Sequence, residues 1–511
     1  MNSAEQITIL EKRIAQLEKE NKLLLESVHF LTRKLYGRSS EKTSVLTSGQ
    51  LSFFDEAETE AKSKAKEPDL KQVEGYVRKK RDGQKMELLK NLPHEKKIFT
   101  LGKEDQYCLD CNSPLVPVGE EFVRTEVEYI PAQVRVIDYY RVTFECRNCR
   151  KQGLPYMEKT PMPEPVIQHS MASPSTVAWV MHQKFVNALP LYRQEKEWQS
   201  LGLNLSRATM ANWIMVASRD WLTPILKLMH EKLLQEKYIH ADETPVQVMN
   251  EEGRKNTTDS YMWVYATGKY AKHPIRIFEY QPGRKGIYPQ EFLKGFKGYL
   301  HTDAYSGYKK VDNITRCLCW THLRRKFVEA LPKDIRDSED TLPGQGIAYC
   351  NKLFEIEKTL ENLTSEERKK ERLKQEKPVL EAFWAWAEES ASKVLPKSKL
   401  GEALSYAINH KEDLMSYLQD GNCSISNNLA ENCIRPFTIG RKNWLFSGSP
   451  QGATASATVY SIIETAKAND LNPYKYLEYI LSDLPGVPFG QHPEYLENFL
   501  PWSAKVQASC K

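Results

Sequence analysis

Two short stretches constrain this chain more than any other part of it: "YIHAD" at residues 238–242 and "YLHTD" at 299–303. Each runs apolar, histidine, small residue, aspartate. Both read as β-strands that end by presenting a carboxylate, Asp242 in one and Asp303 in the other. A buried structural acid normally has an Arg or Lys beside it. Two acids delivered in the same way, 61 residues apart, repel each other unless a divalent cation sits between them. Ligands made only of oxygen suit Mg²⁺ or Mn²⁺.

The flanking sequence supplies a fold for this pair. "YMWVYATG" and "IRIFEYQP" follow as β-rich runs, then a helix, "YPQEFLKGF", and a fifth strand, "TRCLCWTH". Three strands, a helix and two more strands predict a ribonuclease H-like α/β core, with the first and fourth strands adjacent and parallel. Glu431 is the candidate third acid, on a short helix ended by Pro436, with Asn428 and Arg435 on the same face. The chain then turns basic and aromatic at Arg441, Lys442, Trp444 and Phe446, a mix that suits a phosphate backbone and an unstacked base. Residues 323–419, Lys/Glu-rich and helical in pattern, read as an insertion in a core made of 226–322 and 420–465. Residues 466–511 read as a C-terminal helical segment.

Four of the ten cysteines are specifically spaced: Cys108-x2-Cys111 and Cys146-x2-Cys149, with 34 residues between the pairs. Each pair lets two thiolates reach one metal from a tight turn, and two pairs complete a tetrahedral Zn²⁺ site. The β-branched alternation between them predicts hairpin strands, so residues 96–160 read as a zinc ribbon-like module. Cys319 and His322 have the spacing of half a site, but core packing is the preferred reading there.

Residues 1–36 carry Ile7, Ile14, Asn21, Val28 and Leu35 every seventh position, with Leu10, Leu17, Leu24 and Leu31 on the alternate seam. That pattern predicts a two-stranded parallel coiled coil, with Asn21 fixing register and dimer state. Residues 37–95 form a basic linker. Its stretch 62–90 has ten Lys/Arg against five Asp/Glu, which by itself equals the net charge of +5 for the whole chain. Arg78, Lys79, Lys80 and Arg81 lie in it. They read first as a solvated run, with a phosphate-contacting arm as the alternative. Over 161–225, Ser173 with Pro174, the turn at Gly202 and the cap at Ser206 predict three helices. The last two suggest a helix-turn-helix whose Arg207, Thr209 and Asn212 would face DNA. No run of about 18 apolar residues and no apolar signal core is present, which predicts a cytoplasmic chain without a membrane partner.

Taken together, "KLYGRSSEK", the double CxxC, "LPLYRQE", "HADETPV", "HTDAYSGY", "CWTHLRRKF", "NNLAENCIRPFTIGRKNWLFSG" and "ETAKANDLNPYKYLEYIL" resemble the insertion-sequence-66 family of bacterial transposases, from about residue 10 to 485. The resemblance implies an Asp-Asp-Glu enzyme with Asp242, Asp303 and Glu431 as its triad and two metal ions per active site. It also implies a zinc module ahead of the DNA-reading helices. The expected partners are double-stranded DNA, a second copy of the chain and, where the element encodes them, helper proteins; the expected place is the bacterial nucleoid. The expected chemistry is cleavage at the element's ends and joining of the 3′-hydroxyl to target DNA. Two alternatives stand beside it. One is a metal-dependent nuclease or resolvase without strand transfer, and the other a zinc-containing DNA-binding regulator whose acids are relics.

Overall fold

Local signals set the first elements. The computed structural model describes residues 113–114, 133–147, 151–152, 157–331 and 341–511. The heptad segment, the linker with Arg78, Lys79, Lys80 and Arg81, and Cys108, Cys111 and Cys149 lie outside the described residues. Strand β1 (Thr143–Glu145) pairs antiparallel with β2 (Met157–Lys159), Thr143 opposite Lys159. The pair flanks the second CxxC, so Cys146 stands at the mouth of a hairpin. Strand β1 falls in the stretch between the cysteine pairs where hairpin strands are expected; residues 115–132 of that stretch lie outside the described residues. Residues 133–142 form no strand, and Val136, Tyr139 and Tyr140 are exposed.

Helices α1 (Pro174–Phe185) and α3 (Arg207–Ala217) start at their expected caps, and α2 (Leu191–Ser200) closes at the expected turn. The Ser173 hydroxyl accepts the Thr176 N–H at 3.2 Å and the Ser206 hydroxyl that of Thr209 at 3.1 Å. Gly202, at φ +88°, reverses the chain after α2. Helix α3 then runs on through a π-helical stretch, Ser218–Leu222, into α4 (Thr223–Leu233). Pro224 has no N–H to donate; the widened turn accommodates it, and the Thr223 hydroxyl donates to the Ser218 carbonyl at 2.9 Å.

The central sheet is built from β3 (Tyr238–Val248), β4 (Asp259–Thr267), β5 (Arg276–Gln281), then, after α5 (Ile287–Phe292), β6 (Gly298–Thr302) and β7 (Ile314–Leu318). Its order is β5-β4-β3-β6-β7. The first three strands are antiparallel, and β6 and β7 run parallel to β3. Two expectations need correction. The fifth strand stops at Leu318, and Trp320 opens α6 (Trp320–Ala330), because its indole is buried and donates to the Leu414 carbonyl at 2.9 Å. Strand β3 does not end at Asp242. It continues along β4 as far as Gln247 opposite Asp259, so Asp242 lies mid-strand.

Helices α7 (Leu342–Thr359), α8 (Ser365–Ala391), α9 (Lys399–Asn409) and α10 (Lys411–Met415) pack with α6 around a second core that includes Trp320, Phe327, Leu353, Phe383 and Leu404. Buried Arg372 pairs with Glu357 at 2.5 Å and donates to the carbonyls of Tyr417, Asp420 and Cys423. That ties the helical block to the chain entering α11 (Asn428–Trp444). Next come β8 (Phe446–Ser447), α12 (Pro450–Ala468) and α13 (Pro473–Asp483). Helix α12 is buried along most of its length and covers the open edge of β5. Its Ser461 and Thr465 hydroxyls accept the N–H groups of Phe278 and Arg276 at 2.8 and 3.0 Å. An edge strand is thereby closed by side chains. Among the described residues no helix is long and apolar enough to cross a membrane.

Candidate active site

The register of β3 on β6 sets Tyr238 against Tyr299, Ile239 against Leu300 and His240 against His301. Asp242 and Asp303 therefore fall at matched positions, two residues beyond the last pair. Past that pair β6 leaves β3, and β8 joins only at Gln247–Val248. In between, β3 has no strand partner on that side, and Asp242 stands in the opening. Pro245 lies in the same stretch, where a strand tolerates a residue without an N–H.

The histidines of the repeated motif have a role that sequence reasoning missed. Their rings stack at 4.3 Å beneath the two aspartates, both fully buried. His240 Nδ1 donates to Asn427 Oδ1 at 3.0 Å, Asn427 Nδ2 donates to the Ala241 carbonyl at 2.9 Å, and the Ser424 N–H donates to His301 Nε2 at 3.0 Å. The pair thus clamps residues 424–427, the lead-in to the helix that carries Glu431. Burial holds His240 down to about 4 and His301 well below its ordinary value, so both rings are neutral. The signal was in view: a histidine two residues before each aspartate, twice.

Burial pushes the Asp242 carboxyl up to about 7, with further repulsion from Glu243, Asp303 and Glu431; a hydrogen bond from the Glu243 N–H opposes this. Asp303 accepts the Tyr305 N–H at 2.9 Å and lies 3.6 Å from Arg284. Arg284 stacks on the Tyr305 ring at 4.2 Å and donates through Nε to Glu243 at 2.6 Å. Tyr308 donates to the other Glu243 oxygen at 2.5 Å. Glu243 is thus a fourth acid in this region, next to Asp242 in sequence, and its charge is matched by Arg284. Gly307 is required here, since a Cβ on it would meet the Tyr305 ring at 2.1 Å.

Glu431 sits in the first turn of α11, which runs through Pro436 rather than ending there. Cys433, Ile434, Phe437 and Gly440 are buried, and that packing outweighs the single backbone bond a proline removes. Glu431 lies 3.6 Å from His322 Nε2 and 3.8 Å from Arg325, and its Oε1 is buried without a hydrogen-bond partner. Two sets of three donor atoms within 4.8 Å of one another occur among the described residues: Cys319, His322 and Glu431, and the buried set His301, Cys317 and Cys423. Neither includes an aspartate, so the Glu431 carboxylate is grouped with Cys319 and His322 while still acting on Asp242 through its charge. Further along α11, Arg441 donates to Thr244 at 3.1 Å across the open stretch of β3, and Arg435 and Lys442 are exposed. On α3, Arg207 and Asn212 are exposed, whereas Thr209 is half-buried and bonded to Ser206.

Comparison with known proteins bears on this arrangement. The model described as "Transposase IS66 family" matches residues 169–455, a span that contains both aspartates and Glu431. The chain belongs to the IS66 transposase family. The family's zinc-finger binding domain matches residues 105–150, which hold all four spaced cysteines. The IS66 C-terminal element matches 461–502, and the model "Transposase C of IS166 homeodomain" matches 23–96. Similar proteins include three from Sinorhizobium fredii, each named as uncharacterized. The chain is 28% identical to y4hP over 78% of its own length and 73% of the relative's, and 28% identical to y4qI over 77% and 73%. It is 25% identical to y4jD over 97% of both. No solved structure matches the chain.

Proposed function

We propose that this chain is an Asp-Asp-Glu transposase that binds its element's ends, cleaves them and joins the freed 3′-hydroxyl to target DNA, on a ribonuclease H-like core. The observation that carries the reading is the matched placement of Asp242 and Asp303 by the parallel pairing of β3 and β6, with Glu431 close enough to raise the Asp242 carboxyl. The donor set fits a hard divalent ion. It is all oxygen, and burial raises the Asp242 carboxyl, with repulsion from Glu243, Asp303 and Glu431 adding to it, so a divalent cation would offset both. Held by Asp242, Asp303 and Glu431, two Mg²⁺ or Mn²⁺ ions would acidify the attacking oxygen and stabilise the leaving one in an in-line displacement.

The other residues prepare this site. Arg284 neutralises Glu243, and the Tyr305 N–H fixes the Asp303 carboxylate. Neutral His240 and His301 hold the Glu431 segment under the strands without adding charge. Arg435, Arg441 and Lys442 would bind phosphates along α11, and Arg78, Lys79, Lys80 and Arg81 would do so for any sequence. The N-terminal heptads would pair two chains so that two ends are handled together. The test is direct. Purified protein with Mg²⁺ should nick and join duplexes that carry the element's terminal sequence. A chain that cuts end DNA and scrambled DNA alike, and joins neither, would be a nuclease instead.

Two further outcomes are expected. Cys108, Cys111, Cys146 and Cys149 should hold one Zn²⁺, and Cys108→Ser should lower zinc content by one equivalent and unfold that module locally. Elemental analysis with circular dichroism checks this, and unchanged zinc content would refute the ligand set. On α3, Arg207→Ala and Asn212→Ala should each cost about 1–3 kcal/mol on element-end DNA and almost nothing on random DNA. Equal losses on both duplexes, titrated at two salt concentrations, would mean that α3 does not read sequence.

A further inference from the structure

Cys319 and His322 are not used by the chemistry proposed above, yet they stand against its third acid. The Cys319 sulfur, a His322 ring nitrogen and a Glu431 oxygen lie within 4.8 Å of one another. Cys319 immediately precedes α6 and His322 is its third residue, so a single helix start aims a thiol and an imidazole the same way. Cys319 and His322 are hydrogen-bonded to each other, and Glu431 Oε1 beside them is buried without a hydrogen-bond partner. The Cys319 sulfur already accepts the Asn427 N–H at 3.1 Å, which anchors it. His322 and Glu431 retain 24% and 28% exposure, so one side of the group is open.

We propose that Cys319, His322 and Glu431 form a further metal site, for a borderline-soft divalent ion such as Zn²⁺, distinct from the oxygen-only set. Sulfur, nitrogen and carboxylate are the zinc donors, and three of them with one open position complete a tetrahedron through water. A thiolate disfavours Mg²⁺, which separates the two sites by ligand chemistry. The other cluster, His301, Cys317 and Cys423, is fully buried, and His301 Nε2 there already accepts the Ser424 N–H. Glu431 is shared, so a zinc ion here would draw the third acid away from Asp242 and Asp303. Only that consequence rests on the proposed catalytic reading; the binding itself does not.

The experiment uses the full-length protein with its four-cysteine module saturated with Zn²⁺, titrated with Co²⁺. Wild type should take up one further equivalent, with the ultraviolet sulfur-to-cobalt band and the visible bands of a four-coordinate ion. Cys319→Ser should abolish the sulfur band, and His322→Ala and Glu431→Gln should each weaken binding at least about tenfold. Asp242→Asn with Asp303→Asn, which removes the proposed catalysis, should keep the band. Circular dichroism of each variant separates lost binding from lost fold, and a chelating dye reports any zinc released from the module. The site is overturned if wild type shows no added band, if the band matches released zinc, if it survives Cys319→Ser, or if it is lost in the double aspartate variant.

Discussion

Asp242→Asn, Asp303→Asn and Glu431→Gln should each abolish Mg²⁺-dependent strand cleavage and joining while leaving binding to end DNA nearly intact. Loss of one carboxylate from such a cage removes several kcal/mol of transition-state stabilisation, a rate loss of roughly a thousandfold or more. The check is a gel assay of nicking and joining beside a binding titration, and full activity in any variant would remove that residue from the set. A second readout concerns Asp242 alone. Its carboxyl is raised in the folded chain from 3.8 to about 7, so the unfolded chain releases that proton first. Metal-free wild type should therefore lose stability as pH rises from about 4 to 7. Asp242→Asn should lack that component and melt no lower than wild type at neutral pH. A steeper pH dependence in the variant would contradict the assigned burial of Asp242.

The second large effect is expected at Asn427, which is 1% exposed. Asn427→Leu keeps the approximate volume but leaves the Ala241 carbonyl and His240 Nδ1 unpaired in the core. Two orphaned groups should cost about 2–5 kcal/mol. That is a large share of the roughly 5–15 kcal/mol that holds a domain together. Urea unfolding should show a clearly lower midpoint, and activity should fall with it, since the clamp that sets the Glu431 segment is gone. A variant with wild-type stability and activity would mean that the histidine pair does not position that segment.

What could be read from sequence follows from where each signal lies. The caps at Ser173 and Ser206 and the reversal at Gly202 act within four residues, and α1 and α3 begin, and α2 ends, at them. The side-by-side placement of Asp242 and Asp303 was legible because the same five-residue pattern occurs twice, and equal patterns paired in parallel register bring equal positions together. The extent of β3 was not legible. The sequence pattern ends this strand at Asp242, and only the open edge between β6 and β8 lets it run on past Pro245. Pro436 misled in the same way on α11, where tertiary packing outweighed a local rule. The Arg284–Glu243 pair, the Asn427 clamp and the grouping of Glu431 with His322 join residues 41 to 187 positions apart. No periodicity or spacing carries such information.

The two cores have a consequence for how the protein comes into being. Asp242 and Asp303 belong to the sheet, but the glutamate arrives only after the whole helical block has been made, about 190 residues beyond Asp242. At bacterial rates of roughly 5–20 residues per second, that is an interval of about 10–40 seconds. Through it the nascent chain holds two aspartates with no third acid, and the edge of β5 still lacks its cover from α12. Premature termination anywhere before residue 468 leaves that edge bare. If Asp242, Asp303 and Glu431 act together as proposed, a ribosome-bound or truncated copy that stops short of Glu431 should bind element-end DNA through α3 without cutting it.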